Sequence, residues 1–192
     1  LVAFASCNSL KEISIPKSLS TTGRIFNGCS NLKKVVFESG MTAIPGSILY
    51  GSGIEEIGVN GVVIPSSVTS IGGSAFERCS GLTELTIQNG ITTIGGNAFR
   101  SCGNITSVIF SDTVTNIVDW SFAGCGKLES ITLSNNISNI GDGAFNSCTS
   151  LNSVTYNSVR YTQIGLLKAA LSEASVKYTS NSFGGVNLIE DE

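Results

Sequence analysis

Apolar positions recur along this chain in a phrase of 23 residues. Four times the phrase reads almost alike: Ala75-Phe76-x-x-Cys79, Ala98-Phe99-x-x-Cys102, Ser121-Phe122-x-x-Cys125 and Ala144-Phe145-x-x-Cys148. After each comes an apolar triplet such as Leu82, Leu85 and Ile87. Its last two members are separated by one small or polar residue, the period-two mark of a strand with one buried face. The triplet recurs as Leu10/Ile13/Ile15, Leu32/Val35/Phe37, Ile54/Ile57/Val59, Ile105/Val108/Phe110, Leu128/Ile131/Leu133 and Leu151/Val154/Tyr156. A second apolar pair follows as Val68/Ile71, Ile91/Ile94, Val114/Ile117 and Ile137/Ile140. Its β-branched composition predicts a shorter strand on the opposite side of a coil. Gly72, Gly95 and Gly141 come next, where the chain must turn sharply. The Ala-Phe-x-x-Cys piece is too short for a helix and predicts one helical turn with Phe and Cys facing inward. A fixed period of this length is the mark of a stacked solenoid in which each repeat touches only its neighbours.

The pattern therefore predicts a mostly β solenoid of about seven 23-residue repeats, with seven parallel strands. At roughly 4.8 Å per strand the rod is about 30 Å long. Residues 1–157 form one solenoid domain in this reading. Two repeats are irregular. The first is one residue short and has Thr22 where Ile usually stands. The third has Leu49 for Phe and Ser52 for Cys, and gains about five residues around Asn60-Gly61-Val62. Asn60-Gly61 signals a tight turn, and the insertion is expected on the surface.

Residues 158–192 leave the pattern. Ile164, Leu167 and Leu171 share one helical face, so a helix is expected at about 163–174, with Thr162 as its N-cap. With Val176 to Thr179 it would cover the open end of the stack, which a solenoid needs for solubility. Glu190-Asp191-Glu192 reads as a solvated acidic tail. At the other end, Leu1-Val2-Ala3-Phe4 begins inside a repeat phrase without an initiator Met, so the chain is expected to be a trimmed or processed piece. Ala5-Ser6-Cys7 faintly resembles a lipid-attachment site. However, Phe4, Cys7 and Leu10 match the repeat anchors, and no charged or long apolar run precedes them.

Charge changes the picture by exclusion. Only 13% of residues are charged, the net charge is −3, and no basic run exists. That argues against nucleic acid and against an anionic membrane surface. No stretch reaches transmembrane length. A surface of Ser, Thr, Asn and Gly suits a secreted or surface-exposed protein.

Candidate chemistry is sparse. Cys7, Cys29, Cys79, Cys102, Cys125 and Cys148 follow the repeat period. With no Cys-x-x-Cys and no His, they read as a buried column rather than a metal site. Phe4, Phe26, Phe76, Phe99, Phe122 and Phe145 form a second core column. Without His, the Ser-His and Cys-His nucleophile pairs are impossible. Glu12, Glu38, Glu56 and Glu84 are scattered over a solvated face rather than paired. Gly72-Gly73 and Gly95-Gly96 lack a phosphate-loop lysine. No catalytic, cofactor or metal residue is assigned. Candidate contacts remain on the outward strand positions: Lys34 and Val36, Glu84 and Thr86, Ile109, and Thr132. Trp120 stands where other repeats carry Ser74, Asn97 and Gly143, which places it outside, although it could instead cover a neighbouring repeat. Tyr50 follows Leu49 at a similar outer location.

The stretch Ile64-Pro65-Ser66-Ser67-Val68-Thr69-Ser70-Ile71-Gly72-Gly73-Ser74-Ala75-Phe76-Glu77-Arg78-Cys79-Ser80-Gly81-Leu82 resembles the consensus of the BspA-like leucine-rich repeats. The resemblance covers residues 1 to about 157 and departs from the consensus at Thr22, the third repeat and Val118-Asp119-Trp120. It implies a right-handed leucine-rich solenoid, secreted or surface-attached in bacteria, with roles in adhesion and no catalytic residues. The expected function is thus a non-enzymatic, monomeric binding module for a protein or surface glycan, with no nucleic-acid partner and no cofactor. The alternative is a rigid spacer that displays another domain.

Overall fold

Each 23-residue phrase makes one coil, because its two apolar segments are separated by turns that bring the chain back above its starting point. The computed structural model describes residues 3–58 and 61–189. In order along the chain run β1 (Glu12–Ile15), β2 (Lys34–Phe37), β3 (Ala43–Ile44), β4 (Val62–Val63), β5 (Ser70–Ile71), β6 (Glu84–Ile87), β7 (Thr93–Ile94), β8 (Ser107–Phe110), β9 (Asn116–Ile117), β10 (Ser130–Thr132), β11 (Asn139–Ile140), β12 (Ser153–Tyr156), β13 (Val159–Tyr161), α1 (Ile164–Glu173) and β14 (Lys177–Tyr178).

The seven main strands are all parallel, as the triplets predict, but they form two sheets. One has the order β1-β2-β4; the other runs β13-β12-β10-β8-β6. A third sheet of six strands, β14-β11-β9-β7-β5-β3, lies on the other side of the coil. It marks six turns, because the first coil contributes no strand at Thr22.

The third repeat departs from the expected register. Its inward triplet is Ile54, Val62 and Ile64 rather than Ile54, Ile57 and Val59. Val62 stands opposite Val35, and all three are buried. The insertion therefore falls between the first and second members of the triplet, and Ile57 is displaced into it, partly buried. The loop closes on itself: Val62 N–H donates to the Glu56 carbonyl, and Gly58 N–H to that of Val62. Asn60, half of the expected turn, lies outside the described residues, as do Val59, Leu1, Val2 and the acidic tail.

The Ala-Phe-x-x-Cys piece is a chain of tight turns rather than a helical turn. Cys79 N–H donates to Phe76 O, and Ala75 N–H to Gly72 O. The residues two before and two after the Phe position are left-handed. Ser47, Ser74, Asn97, Trp120 and Gly143 have φ of 56–60°. Gly28, Gly51, Arg78, Ser101, Gly124 and Ser147 have φ of 59–74°. Gly72 and Gly95 serve a different need from the sharp turn expected of them. A Cβ on Gly95 would stand 2.6 Å from Ile71 O, so glycine lets consecutive coils approach.

The core is a set of columns. Phe76, Phe99, Phe122 and Phe145 stack with near-parallel rings 5.1–5.5 Å apart. The coil spacing sets that distance, and the rings take an offset-stacked arrangement. Phe4 stacks on Phe26 at 5.7 Å, yet it is 46% exposed. It is the one member of the expected Phe column outside the core.

The C-terminal segment rejoins the stack. Lys177 and Tyr178 pair with Asn139 and Ile140, and Phe183 stacks on Phe145 at 5.4 Å. Asn157 and Ser158, both left-handed, turn the chain into β13, which pairs antiparallel along β12. That pair matches a two-residue hairpin turn. α1 buries Leu167 and Leu171, with Ile164 partly buried. Its N-cap is Gln163, not Thr162, and no side chain caps it. Thr162 instead accepts a backbone bond from Ile189.

Candidate functional site

The outward residues of the five-stranded sheet form two straight rows, because parallel pairing repeats the same register at every coil. Glu84, Ser107, Ser130 and Ser153 lie opposite one another in one row, whose last member, Ser153, is buried. Thr86, Ile109, Thr132 and Thr155 form the second, and Arg160 of β13 extends it. Glu84 and Thr86 are exposed, Thr132 is partly so, and Ile109 is 48% exposed. At roughly 4.8 Å between strands, the second row extends about 15 Å from Thr86 to Thr155.

Lys34 and Val36 belong to the other sheet. Lys34 faces Glu12 at 4.0 Å, and Val36 stands between Ser14 and Val63. Glu12, Ile13, Ser14, Lys34 and Val36 line a shallow cavity of about 300 Å³. The insertion loop separates the two sheets, with Glu55 tied to Lys33 at 2.6 Å.

Hydroxyls divide by face. Thr69, Thr92, Thr115 and Ser138 each donate to the carbonyl of the equivalent residue one coil earlier, and Thr106 does the same to Thr83. Much of the Ser/Thr-rich surface is thus a ladder that binds coil to coil. Thr86, Thr132 and Thr155 make no such bond among the described residues; Thr86 is exposed and the other two are half-buried.

The thiols form another ladder. Cys29, Cys79, Cys102, Cys125 and Cys148 are buried. Cys102 Sγ donates to Phe76 O at 3.0 Å, Cys125 to Phe99 O and Cys148 to Phe122 O at 3.3 Å, each a carbonyl of the preceding coil. Cys79 reaches Leu49 O in the coil that has Leu for Phe. Burial pushes the Cys79 thiol up to about 11 and holds that of Cys102 well above the ordinary range. The hydrogen bond with Cys148, then burial, does the same for Cys125. Such thiols are inert at neutral pH. Cys7 breaks the expected pattern: it is exposed. Among the described residues no His/Cys/Asp/Glu group gathers as a metal would require, and no helix is long and apolar enough to cross a membrane.

Trp120 and Tyr50 lie apart from both sheets, on the turns flanking the Phe column. Trp120 is partly buried, its ring laid over Gly143 of the next coil. Tyr50 is not an outer residue: it is 8% exposed, with the Arg24 guanidinium 3.7 Å from its ring centroid and that of Arg78 at 5.9 Å. The eight candidates therefore do not form one site. Glu84, Thr86, Ile109 and Thr132 share a surface; Lys34 with Val36, Trp120 and Tyr50 each stand elsewhere. The arginine cluster around Tyr50 escaped the sequence reading. Its members sit at three different repeat positions, so no period links them.

A family model described as the BspA type leucine rich repeat region matches residues 2–61 and 55–167, in six copies. No curated protein matches. Among solved structures, a leucine-rich repeat protein of T. pallidum aligns over 91% of this chain and 86% of its own, at 20% identity and a TM-score of 0.66. One from Eubacterium ventriosum aligns over 96% of this chain and 61% of its own, at 20% identity and a TM-score of 0.56. A leucine-rich cell surface protein of Faecalibacterium prausnitzii aligns over 80% of this chain and 43% of its own, at 22% identity and a TM-score of 0.55. At such identities the likeness is one of fold.

Proposed function

The chain belongs to the BspA-type leucine-rich repeat family, and from that premise we propose that it is a non-enzymatic binding module. It acts secreted or at the bacterial cell surface and docks a protein or surface glycan on its five-stranded sheet. The observation that carries this reading is the row Thr86–Ile109–Thr132–Thr155. It sets one exposed aliphatic side chain among hydroxyls that the coil-to-coil ladder does not use, on a parallel sheet whose register repeats at every coil. Rigid presentation lowers the ordering cost of binding. The likeness to a cell surface protein supports the location, and the chain's lack of His supports the non-enzymatic reading. Adhesion to host or neighbouring cells is the role such a surface would serve.

Surface plasmon resonance against a panel of host extracellular-matrix proteins tests the proposal. Ile109→Asp and Thr86→Arg point outward and should leave the thermal transition unchanged. Either should weaken the captured partner about tenfold or more, as a central contact does. Unchanged affinity in both variants would place the site elsewhere. A second reading, a rigid spacer, is favoured by the unbroken ring stack from Phe76 to Phe183. It gains if no partner is captured at all.

A further inference from the structure

Three of the chain's four arginines stand on one ridge, away from the sheet face. Arg24 lies over the Tyr50 ring at 3.7 Å, and Arg78 approaches the same ring at 5.9 Å. Arg78 N–H donates to Arg100 O at 2.8 Å, which sets Arg100 on the adjacent coil beside it. All three side chains are exposed. The ion pairs among the described residues use Lys33 with Glu55 and Lys34 with Glu12, and none uses these arginines. Two guanidiniums thus meet at one ring, and that of Arg100 on the next coil donates to Asn97 Oδ1 at 3.4 Å, with no ion pair to any of the three among the described residues, on a chain whose net charge is −3.

Arg78 is also costly where it stands. Its position is left-handed at φ 62°, and the equivalent residues are Gly28, Gly51, Gly124, Ser101 and Ser147. A side chain there is disfavoured against glycine by the left-handed backbone. The Arg24 guanidinium lies over the Tyr50 ring, and a guanidinium presents a planar fork that matches a carboxylate. The charge density decides between partners. Glu77 sits beside Arg78 in sequence and is partly buried on the same turn. Three positive groups interrupted by one carboxylate suit separate carboxylates better than a densely sulfated chain.

We propose that the Arg24–Tyr50–Arg78–Arg100 ridge docks an acidic, Asp/Glu-bearing segment of a partner protein. The site is independent of the sheet face, so it stands or falls separately from the strand-face contact.

The test is fluorescence anisotropy with a fluorescein-labelled hexaglutamate peptide at low salt, on the full chain. Arg78→Gly removes the guanidinium while relaxing the backbone, so folding is preserved. It and Arg100→Ala should each weaken the peptide about tenfold, the scale of a charge-assisted hydrogen bond. The triple variant that adds Arg24→Ala should not bind measurably, whereas Lys127→Ala and Lys168→Ala should bind as the parent does. Peptide binding that survives the triple variant, or that is absent in the parent, overturns the proposal. So does selective binding of a heparin-derived octasaccharide in place of the peptide.

Discussion

Trp120 and Gly143 occupy equivalent positions in consecutive coils, and the indole of the first fills the space a side chain on the second would need. A Cβ on Gly143 would stand 2.6 Å from Cε3 and 2.7 Å from Cδ2 and Cζ3 of the ring. Both residues are left-handed, at φ 59° and 60°. The largest side chain in the column is therefore matched by the absence of one directly above it.

Gly143→Ala should expel the indole toward solvent. Trp120 is the only tryptophan, so intrinsic fluorescence reports this contact alone; its emission should shift to the red. The left-handed backbone adds its own penalty, for a total loss of about 1–2 kcal/mol in denaturant unfolding. An unchanged spectrum would refute the packing relationship.

Phe122→Ala removes a ring stacked on both sides and should cost about 3–5 kcal/mol. Phe4→Ala removes a ring stacked on Phe26 but 46% exposed, and should cost clearly less. Urea melts of the two variants provide the comparison, and equal losses would contradict the exposed position of Phe4.

Native thiol titration with a bulky disulfide reagent should modify Cys7 rapidly and leave Cys29, Cys79, Cys102, Cys125 and Cys148 unreacted until denaturant is added. Rapid reaction of more than one thiol in the native protein would contradict the buried ladder.

The same thiols predict an alkaline limit. Cys79 in the fold titrates at about 11 against an ordinary value of 9.0, so its raised value favours the protonated, folded form. Its contribution is fully present below about pH 9 and is lost as pH rises toward 11. The unfolded chain ionises first over that window, for a loss of about 2–3 kcal/mol from this residue. Denaturation midpoints measured from pH 8 to 11 should fall, and Cys79→Ala should flatten part of that fall.

Gly95→Ala should destabilise by about 2 kcal/mol or more. Its new Cβ meets the backbone of Ile71 and Gly73, which cannot swing aside as a side chain can. Circular dichroism melts would show it, and a neutral result would mean the coils can separate locally.

The anchors of the phrase were readable directly. Phe76, Phe99, Phe122 and Phe145 at one spacing, with a period-two triplet after each, leave few arrangements other than a stack. The third repeat was misplaced because Ile57 and Val59 satisfy the period as well as Val62 and Ile64 do; only pairing with Val35 chooses between them. Phe183 was overlooked because the helix and hairpin interrupt the count before it. Of the candidate contacts, the two rows were legible from alternation alone. Tyr50 was not, since the guanidiniums that meet its ring belong to Arg24 and Arg78, which lie 26 and 28 residues away.

The sequence by itself determined the solenoid, its two strand faces and the inward columns of Phe and Cys. Each follows from a pattern that one repeat carries and its neighbours copy. The tertiary structure decided how those columns end, where the insertion lies, which hydroxyls are spent between coils and which side chains meet on the turns. Those outcomes depend on contacts between non-equivalent positions in different coils, and periodicity carries no record of them.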